Sequence, residues 1–423
     1  MKDIKRNLNA DVAVIGGGTA GVFAAIAAAR TGADTVLIEK NSRPGGTVTE
    51  AGVNFPGLFF AWGKQIIAGP MWEAIKRIEK LGGCRIPEMT FAPKHHWDQQ
   101  IRVNPFIYAA VISEMLQEAG VRVYCDTMVA SASDADDKAE ILLCDKTGLL
   151  YLKADIAIDT TGDANLVSMC GYSVNKSTVQ QPATLHNRME GYDHEGVSLE
   201  ALEEAIAAAD LPDYITARSL MYYLRAHKID LHIPSENAET SEGRTKLEQK
   251  ALSLILKIYC LYRSIPELKN LNIAMIAPET GVRETCRIVG ETEISAEDYV
   301  AGRHYSDAIC YAFYPVDLHV EKGVENTFIK ENVFPEIPFG ALIPKGSRHI
   351  LCAGRCISSD TYANSAIRVE AICMATGQAV GCAAAICSKK KITVPELLYT
   401  ELKNALEKIG AIVPHDMSKE KLM

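Results

Sequence analysis

Residues 11–40 read DVAVIGGGTAGVFAAIAAARTGADTVLIEK. A short apolar strand, Val12–Ile15, runs into Gly16-Gly17-Gly18-Thr19-Ala20-Gly21, and a helix of small residues follows to Arg30. Gly32 ends that helix, and a second strand, Thr35–Ile38, delivers Glu39, 18 residues beyond Gly21. Glycine spacing, flanking elements and the acid together make a dinucleotide-binding βαβ unit; an ordinary strand–turn–helix junction needs neither the spacing nor the acid. Each part has a physical task. Gly16 permits the tight turn, Gly18 lets backbone approach a pyrophosphate, and Gly21 lets helix and strand pack closely. The free amides of Thr19, Ala20 and their neighbours, with the helix dipole, stabilise phosphate charge. Glu39 accepts hydrogen bonds from a ribose diol and repels a 2′-phosphate. The unit alone leaves NAD and FAD both open.

Working outward, 423 residues exceed one ordinary core and predict two or three domains. With 48% hydrophobic and 23% charged residues the chain is globular, and a net charge of −9 argues against a general nucleic-acid partner. The 12 cysteines contain no C-x-x-C pair and no zinc-like Cys/His spacing, so no metal site is expected. They read as small buried hydrophobes in a reducing compartment. No secretory signal is legible, and the longest apolar runs, Val22–Ala29 and Leu252–Tyr262, fall short of the roughly 20 residues of a membrane span. A cytoplasmic protein without a membrane partner is the expectation.

Two further stretches bear on the cofactor. Lys40 is followed by Arg43-Pro44-Gly45-Gly46-Thr47, a second glycine turn that a plain NAD domain does not need. The strand Tyr151–Asp159 ends in Thr160-Thr161-Gly162-Asp163. Here the sequence resembles the FAD-dependent oxidoreductases with the glutathione-reductase-type flavin fold, in which both stretches line the cofactor. The resemblance continues at the strand His349–Cys352 with Ala353-Gly354-Arg355-Cys356, then Arg368-Val369-Glu370 and Met374–Gly381. That region is similar to the family's second flavin segment, where a helix N-terminus points at the flavin ring. Many relatives carry an acid where this chain has Arg355; the departure is closer to the subgroup called simply FAD-dependent oxidoreductase, with fumarate-reductase-like flavoproteins as distant kin.

The resemblance implies an α/β fold: a Rossmann-like FAD-binding domain split between the chain's two ends, with an inserted α+β substrate domain. The implied division is 1–175, with a β-meander near 121–153, then 176–345 as the insert, and 346–423 as the second part with a C-terminal helix. Charged helical stretches (Leu199–Ala209, Asp213–Ala226, Glu242–Arg263) and a strand-like piece, Ala308–Val320, fill the insert. Asn104–Ala119 is periodic, with Phe106, Ala109, Ala110, Ile112, Ser113 and Leu116 near one face. A single G-x-G-x-x-G argues against a separate NAD(P)H domain. The implied cofactor contacts are Gly16, Gly18, Thr19, Ala20, Gly21, Glu39, Lys40, Gly45, Gly46, Thr47, the backbone at Val129, Thr161, Gly162, Asp163, Arg355, Arg368 and Val369. The tail, His415–Met423, is expected to fray.

FAD carries hydride transfer, so substrate groups are sought elsewhere. Arg283 and Arg287, four apart in Arg283-Glu284-Thr285-Cys286-Arg287, suit a carboxylate if they share a face, or an ion-paired network with Glu284 or Glu291 if they do not. The stretch resembles the family's R-E-x-x-R segment. His319 closes Tyr314-Pro315-Val316-Asp317-Leu318-His319, with Asp317 on its alternation face; it is either a general acid/base or a structural histidine. His95, His96, His186 and His304 have weaker context. Arg355 lies at the end of the third flavin strand. Cys352 and Cys356 share a strand face but are too far apart there for a disulfide. Gly57–Lys64 (GLFFAWGK) is either an aromatic wall beside the flavin or loop core. The expected activity is an FAD-dependent oxidoreductase passing a hydride between flavin N5 and a small organic substrate, carboxylate-bearing on the arginine reading. An NAD-dependent dehydrogenase and a non-catalytic FAD-binding subunit of a redox complex are the alternatives. The electron partner is unknown, and self-association is left open.

Overall fold

A computed structural model describes residues 6–89, 96–320 and 323–415, so His95 and the expected frayed tail from 416 onward lie outside the described residues. Its centre is a seven-stranded sheet that assembles around the βαβ unit. Strand β1 (Asn7–Ile15) leads through α1 (Thr19–Thr31) to β2 (Thr35–Ile38), and Gly32 closes the helix in the left-handed conformation. β1 starts five residues earlier than its apolar run because Asn7–Ala10 alternate out and in while pairing with residues 151–154. β3 (Arg122–Tyr124), β4 (Met128–Asp134), β5 (Ala139–Asp145), β6 (Gly148–Asp159) and β7 (Ile350–Cys352) complete the order β3-β2-β1-β6-β5-β4, with β7 also on β6.

Strand β6 has two jobs. Its first half pairs antiparallel with β5, in the meander expected from the turns at 134–137 and 146–148. Its last three residues, Ala157–Asp159, turn buried on both faces and pair parallel with β7, nearly two hundred residues later in the chain. The C-terminal segment thus completes the sheet begun at the N-terminus. Helix α2 (Thr361–Ile367) and helix α3 (Glu370–Lys390) follow β7. α3 lies tightly along α1: a Cβ on Gly377 would stand 2.1 Å from the Ala20 carbonyl oxygen, and one on Gly381 2.2 Å from that of Ala24. Glycine at both positions lets the two backbones touch. α3 is also long and apolar enough to cross a membrane, a run the sequence reading passed over, but 94% of that window is buried inside the protein.

Two apolar cores are present. The larger takes residues from Leu8 to Val167 and from Ile288 to Val413; the second takes Ala183 to Ala277, around the helices Leu199–Ala207, Ala217–Ala226 and Ser241–Ser264. Three local expectations change. Helix Pro105–Glu118 buries Tyr108, Val111, Ile112, Met115 and Leu116, while Phe106 is 79% exposed, because the larger side chains three and four apart set the inward face. Ala308–Val320 is two strands, Ala308–Tyr311 and Val316–Val320, since Pro315 has no N–H to continue a ladder. Finally, the chain turns after Cys352 at Gly354 (φ +87°), bringing the buried Sγ atoms of Cys352 and Cys356 to 3.4 Å. The extended strand assumed for that pair ends too early to keep them apart.

Candidate active site

The cofactor end is made of backbone. Gly21 cannot be larger: a Cβ there would lie 1.8 Å from the Gly16 carbonyl oxygen. Gly18 is different, because a Cβ would meet nothing nearer than the Gly46 Cα at 4.0 Å. The space above it is free of side chains, as a pyrophosphate approaching the first amides of α1 requires. The second glycine turn closes over the first. The Gly45 amide donates to the Gly17 carbonyl at 2.8 Å, and a Cβ on Gly46 would fall 2.6 Å from the Gly18 Cα. Glu39 is buried; its Oε2 accepts from the Gly17 amide at 2.6 Å and its Oε1 from Asn41 at 2.8 Å. Burial raises its pKa against those two bonds, and each oxygen keeps a lone pair. Lys40 pairs with Glu279 at the surface, Thr47 opens the short helix Thr47–Glu50, and Val129 adjoins a bulge in β4.

The Thr160–Asp163 turn is organised by Asp159, which is fully buried and accepts from the Thr161 amide and hydroxyl and from the Val167 amide. Asp163 then gathers three segments: Arg355 donates to it at 2.6 Å, Thr285 at 2.6 Å, and Arg244 stands 3.9 Å away. Arg355 therefore joins the turn after β7 to the turn after β6. Among the described residues its Nη1 and the Nε2 of Gln181 are buried donors without a partner, and Gln180 Oε1 and Asn364 Oδ1 are buried acceptors without one. A ring edge carrying both acceptors and an N–H, as the flavin pyrimidine does, fits such a set. The donors and the bare glycine crevice are the features of this chain that match FAD.

Residues 11–406 match the model of the FAD dependent oxidoreductase family. The chain belongs to that family. FAD is its cofactor, and it is an enzyme. Among curated proteins none matches it in sequence. Among solved structures, a geranylgeranyl bacteriochlorophyll reductase-like protein of Thermoplasma acidophilum is similar at 13% identity and TM-score 0.44, over 95% of this chain and 83% of its own. The p-nitrophenol 4-monooxygenase of Pseudomonas putida DLL-E4 is similar at 12% identity and TM-score 0.45, over 95% and 84%. No statement about substrate follows from either.

In this FAD-dependent oxidoreductase the substrate-side candidates separate. Arg287 is 6% exposed and fully engaged: it pairs with Glu284 at 3.2 Å and donates to the Ser359 carbonyl, Ser177 and Thr361. Glu284 in turn accepts from the Gln181 amide at 2.8 Å. This is the ion-paired reading of the two arginines. Arg283 goes elsewhere, to the Pro182 carbonyl and the Thr184 hydroxyl. Burial, and next Arg368, push it down to about 10.

Arg283 meets His319 because Gln181–Thr184 is a hub. Ala183 bridges Ile233 and Thr184 bridges Gly281, which brings the 231–233 and 281–283 stretches to either side of it. Gln181 accepts from the His319 amide at 3.2 Å and from Arg368 at 3.5 Å. The Asp317 amide donates to Ser365 on α2, immediately ahead of Arg368. His319 then lies between two partners: its Nε2 is 3.2 Å from Asp317 Oδ2, and its Nδ1 is 3.0 Å from His232 Nε2. His232 Nδ1 is 3.0 Å from the Val320 carbonyl oxygen. Burial lowers His319 to about 4 against the pull of Asp317, with Arg283 and Arg368 adding to the fall. Among the described residues neither Arg283 nor Arg368 makes an ion pair, and no three His, Cys, Asp or Glu converge on a metal position.

His232 is the residue the sequence reading missed, although a signal exists. The tripeptide Asp-Leu-His occurs twice, at 230–232 and 317–319, and its two histidine rings are the ones that meet. Of the other histidines, His186 is lowered by burial, and His304 pairs with Glu336 at the surface. In the aromatic stretch Phe59 is buried against Trp72 and Trp62 packs edge-on to Phe313, so its rings serve as packing.

Proposed function

We propose that the chain passes a hydride between FAD and a small organic anion, most simply a carboxylate, held by Arg283 and Arg368, while His319 handles the accompanying proton. The observation carrying this reading is the pair of half-buried guanidiniums, Arg283 and Arg368, which among the described residues make no ion pair and lie near the His319–Asp317 pair. Asp317 and Asp230 offset part of the two positive charges without pairing with them directly, and an anionic ligand would complete the balance of these partly desolvated cations. Arginine suits a planar carboxylate because its N–H groups form a fork. Bound FAD supplies the electron acceptor or donor; the chain's own groups orient the anion and move the proton. We place the flavin domain at 1–175 and 346–423 and the substrate side within 176–345, where 183–277 have a core of their own. A cytoplasmic location belongs to the same proposal.

The test is anaerobic. FAD-loaded protein, oxidised and reduced in turn, is mixed with a panel of small carboxylates, alkenoic and hydroxy acids included, and with their amides. The reading expects a flavin colour change with at least one acid and none with its amide. Equal response to acid and amide overturns it.

A further inference from the structure

The contacts around His319 contain a proton count that does not close. Three contacts stand in a row: Val320 carbonyl to His232 Nδ1, His232 Nε2 to His319 Nδ1, and His319 Nε2 to Asp317 Oδ2. Each needs one proton between its atoms, and two neutral imidazoles bring two. A backbone carbonyl only accepts, so His232 donates from Nδ1 and accepts at Nε2. His319 must then donate from Nδ1, which leaves its Nε2 lone pair facing the Asp317 carboxylate. Shifting both rings to the other tautomer moves the conflict to Val320. One added proton satisfies all three contacts and makes the pair a cation beside Asp317.

The surroundings oppose that proton. The charges acting on the two rings are Asp317 on the strand of His319, Asp230 two residues before His232, Arg283 from the hub and Arg368 after α2, with His186 and Tyr314 next to those charges. Burial lowers the pKa of both imidazoles, Arg283 adding to the fall at each and Arg368 at His319, while Asp317 pulls the other way at both and Asp230 at His232. An anion between the guanidiniums removes the opposing field.

We infer that binding of a carboxylate at Arg283 and Arg368 loads one proton from solvent onto the His232–His319 pair, so that all three contacts close only when the anion is present. The inference rests on the anion reading proposed above. His232 is a positioning residue that supplies the acceptor for His319 and shares the proton. The covalent balance is simple: one proton leaves water, one N–H bond forms, and no electrons move.

Isothermal titration calorimetry of the FAD-loaded full chain, with malonate and acetate as probes near neutral pH, reads proton uptake from the heat in two buffers of different ionisation enthalpy. The expected result is uptake of about one proton per anion bound. His232→Gln keeps an acceptor for His319 but does not titrate, so binding should persist with uptake near zero. Nitrogen NMR of ring-labelled histidine in the unaltered chain gives the same answer without a variant: one unprotonated ring-nitrogen signal of the pair moves to the protonated range on adding malonate. Arg368-dependent binding with no proton uptake overturns the inference and leaves the anion site standing. Uptake that survives in His232→Gln also overturns it. If neither probe binds, or if binding is indifferent to Arg368→Met, the anion reading falls and this inference with it.

Discussion

The two ends of this site are built from different material. The candidate cofactor end is a crevice of main chain, where Gly16–Gly18 and Gly45-Gly46 approach each other and a Cβ on Gly16, Gly21 or Gly46 would clash. The proposed substrate end is a cluster of polar and charged side chains, Arg283, Arg368, Asp317, His319 and His232, brought together from segments that touch through single bridges. A backbone cradle tolerates no added atom but asks little of side-chain chemistry. A side-chain cluster tolerates changes of shape and depends on every charge.

The largest effect should come from breaking the cradle in two distinct ways. Gly18→Val fills open space, so the protein should fold with an unchanged melting temperature and lose FAD affinity by about a hundredfold or more, some 2.7 kcal/mol. Gly21→Val drives a side chain into the Gly16 carbonyl and should yield no folded protein. Flavin absorbance and circular-dichroism melts separate the two, and stoichiometric FAD in Gly18→Val would remove the crevice from the account. Next is Arg287→Met, which strands Glu284 in a buried site and should cost about 3–5 kcal/mol in chemical denaturation. A variant of normal stability but lost activity would move Arg287 to the substrate end. His319→Asn should leave FAD bound and slow the proton-coupled step by about 10²–10⁴-fold, read by stopped-flow flavin absorbance on whichever acid the panel identifies. An unchanged rate returns His319 to a structural role.

A smaller effect concerns Glu370 at the start of α3. Both its carboxyl oxygens are buried without partners, and burial raises its pKa well above the ordinary value. Above about pH 4.3 the unfolded chain releases this proton while the folded chain keeps it, so stability falls as pH rises, by at most about 1.4 kcal/mol per unit. Glu370→Gln should flatten that slope in urea melts taken between about pH 5 and 8. An identical slope would show that Glu370 is already ionised in the fold.

The comparison also explains what was legible. Glycine spacing and a strand-end acid are local signals, since the constraint acts between residues a few positions apart, and the βαβ unit, the meander and the second glycine turn all follow from them. The arginines four apart were readable as a pair, but not their division, because Arg287 is claimed by Glu284 and Ser359 while Arg283 is drawn to the Gln181–Thr184 hub. Contacts between residues 232 and 319 have no local trace except the repeated Asp-Leu-His. Cys352 and Cys356 were misjudged for a related reason: a turn one residue past a short strand undoes a distance reckoned along it.

On the proposed reading FAD sits beside an anion site at Arg283 and Arg368. The most direct test is a flavin difference spectrum recorded on the FAD-loaded protein during titration with malonate. The account predicts a saturable perturbation in the unaltered chain that disappears in Arg368→Met while FAD stays bound. A flavin spectrum indifferent to malonate and acetate, or a perturbation that survives in Arg368→Met, would contradict it.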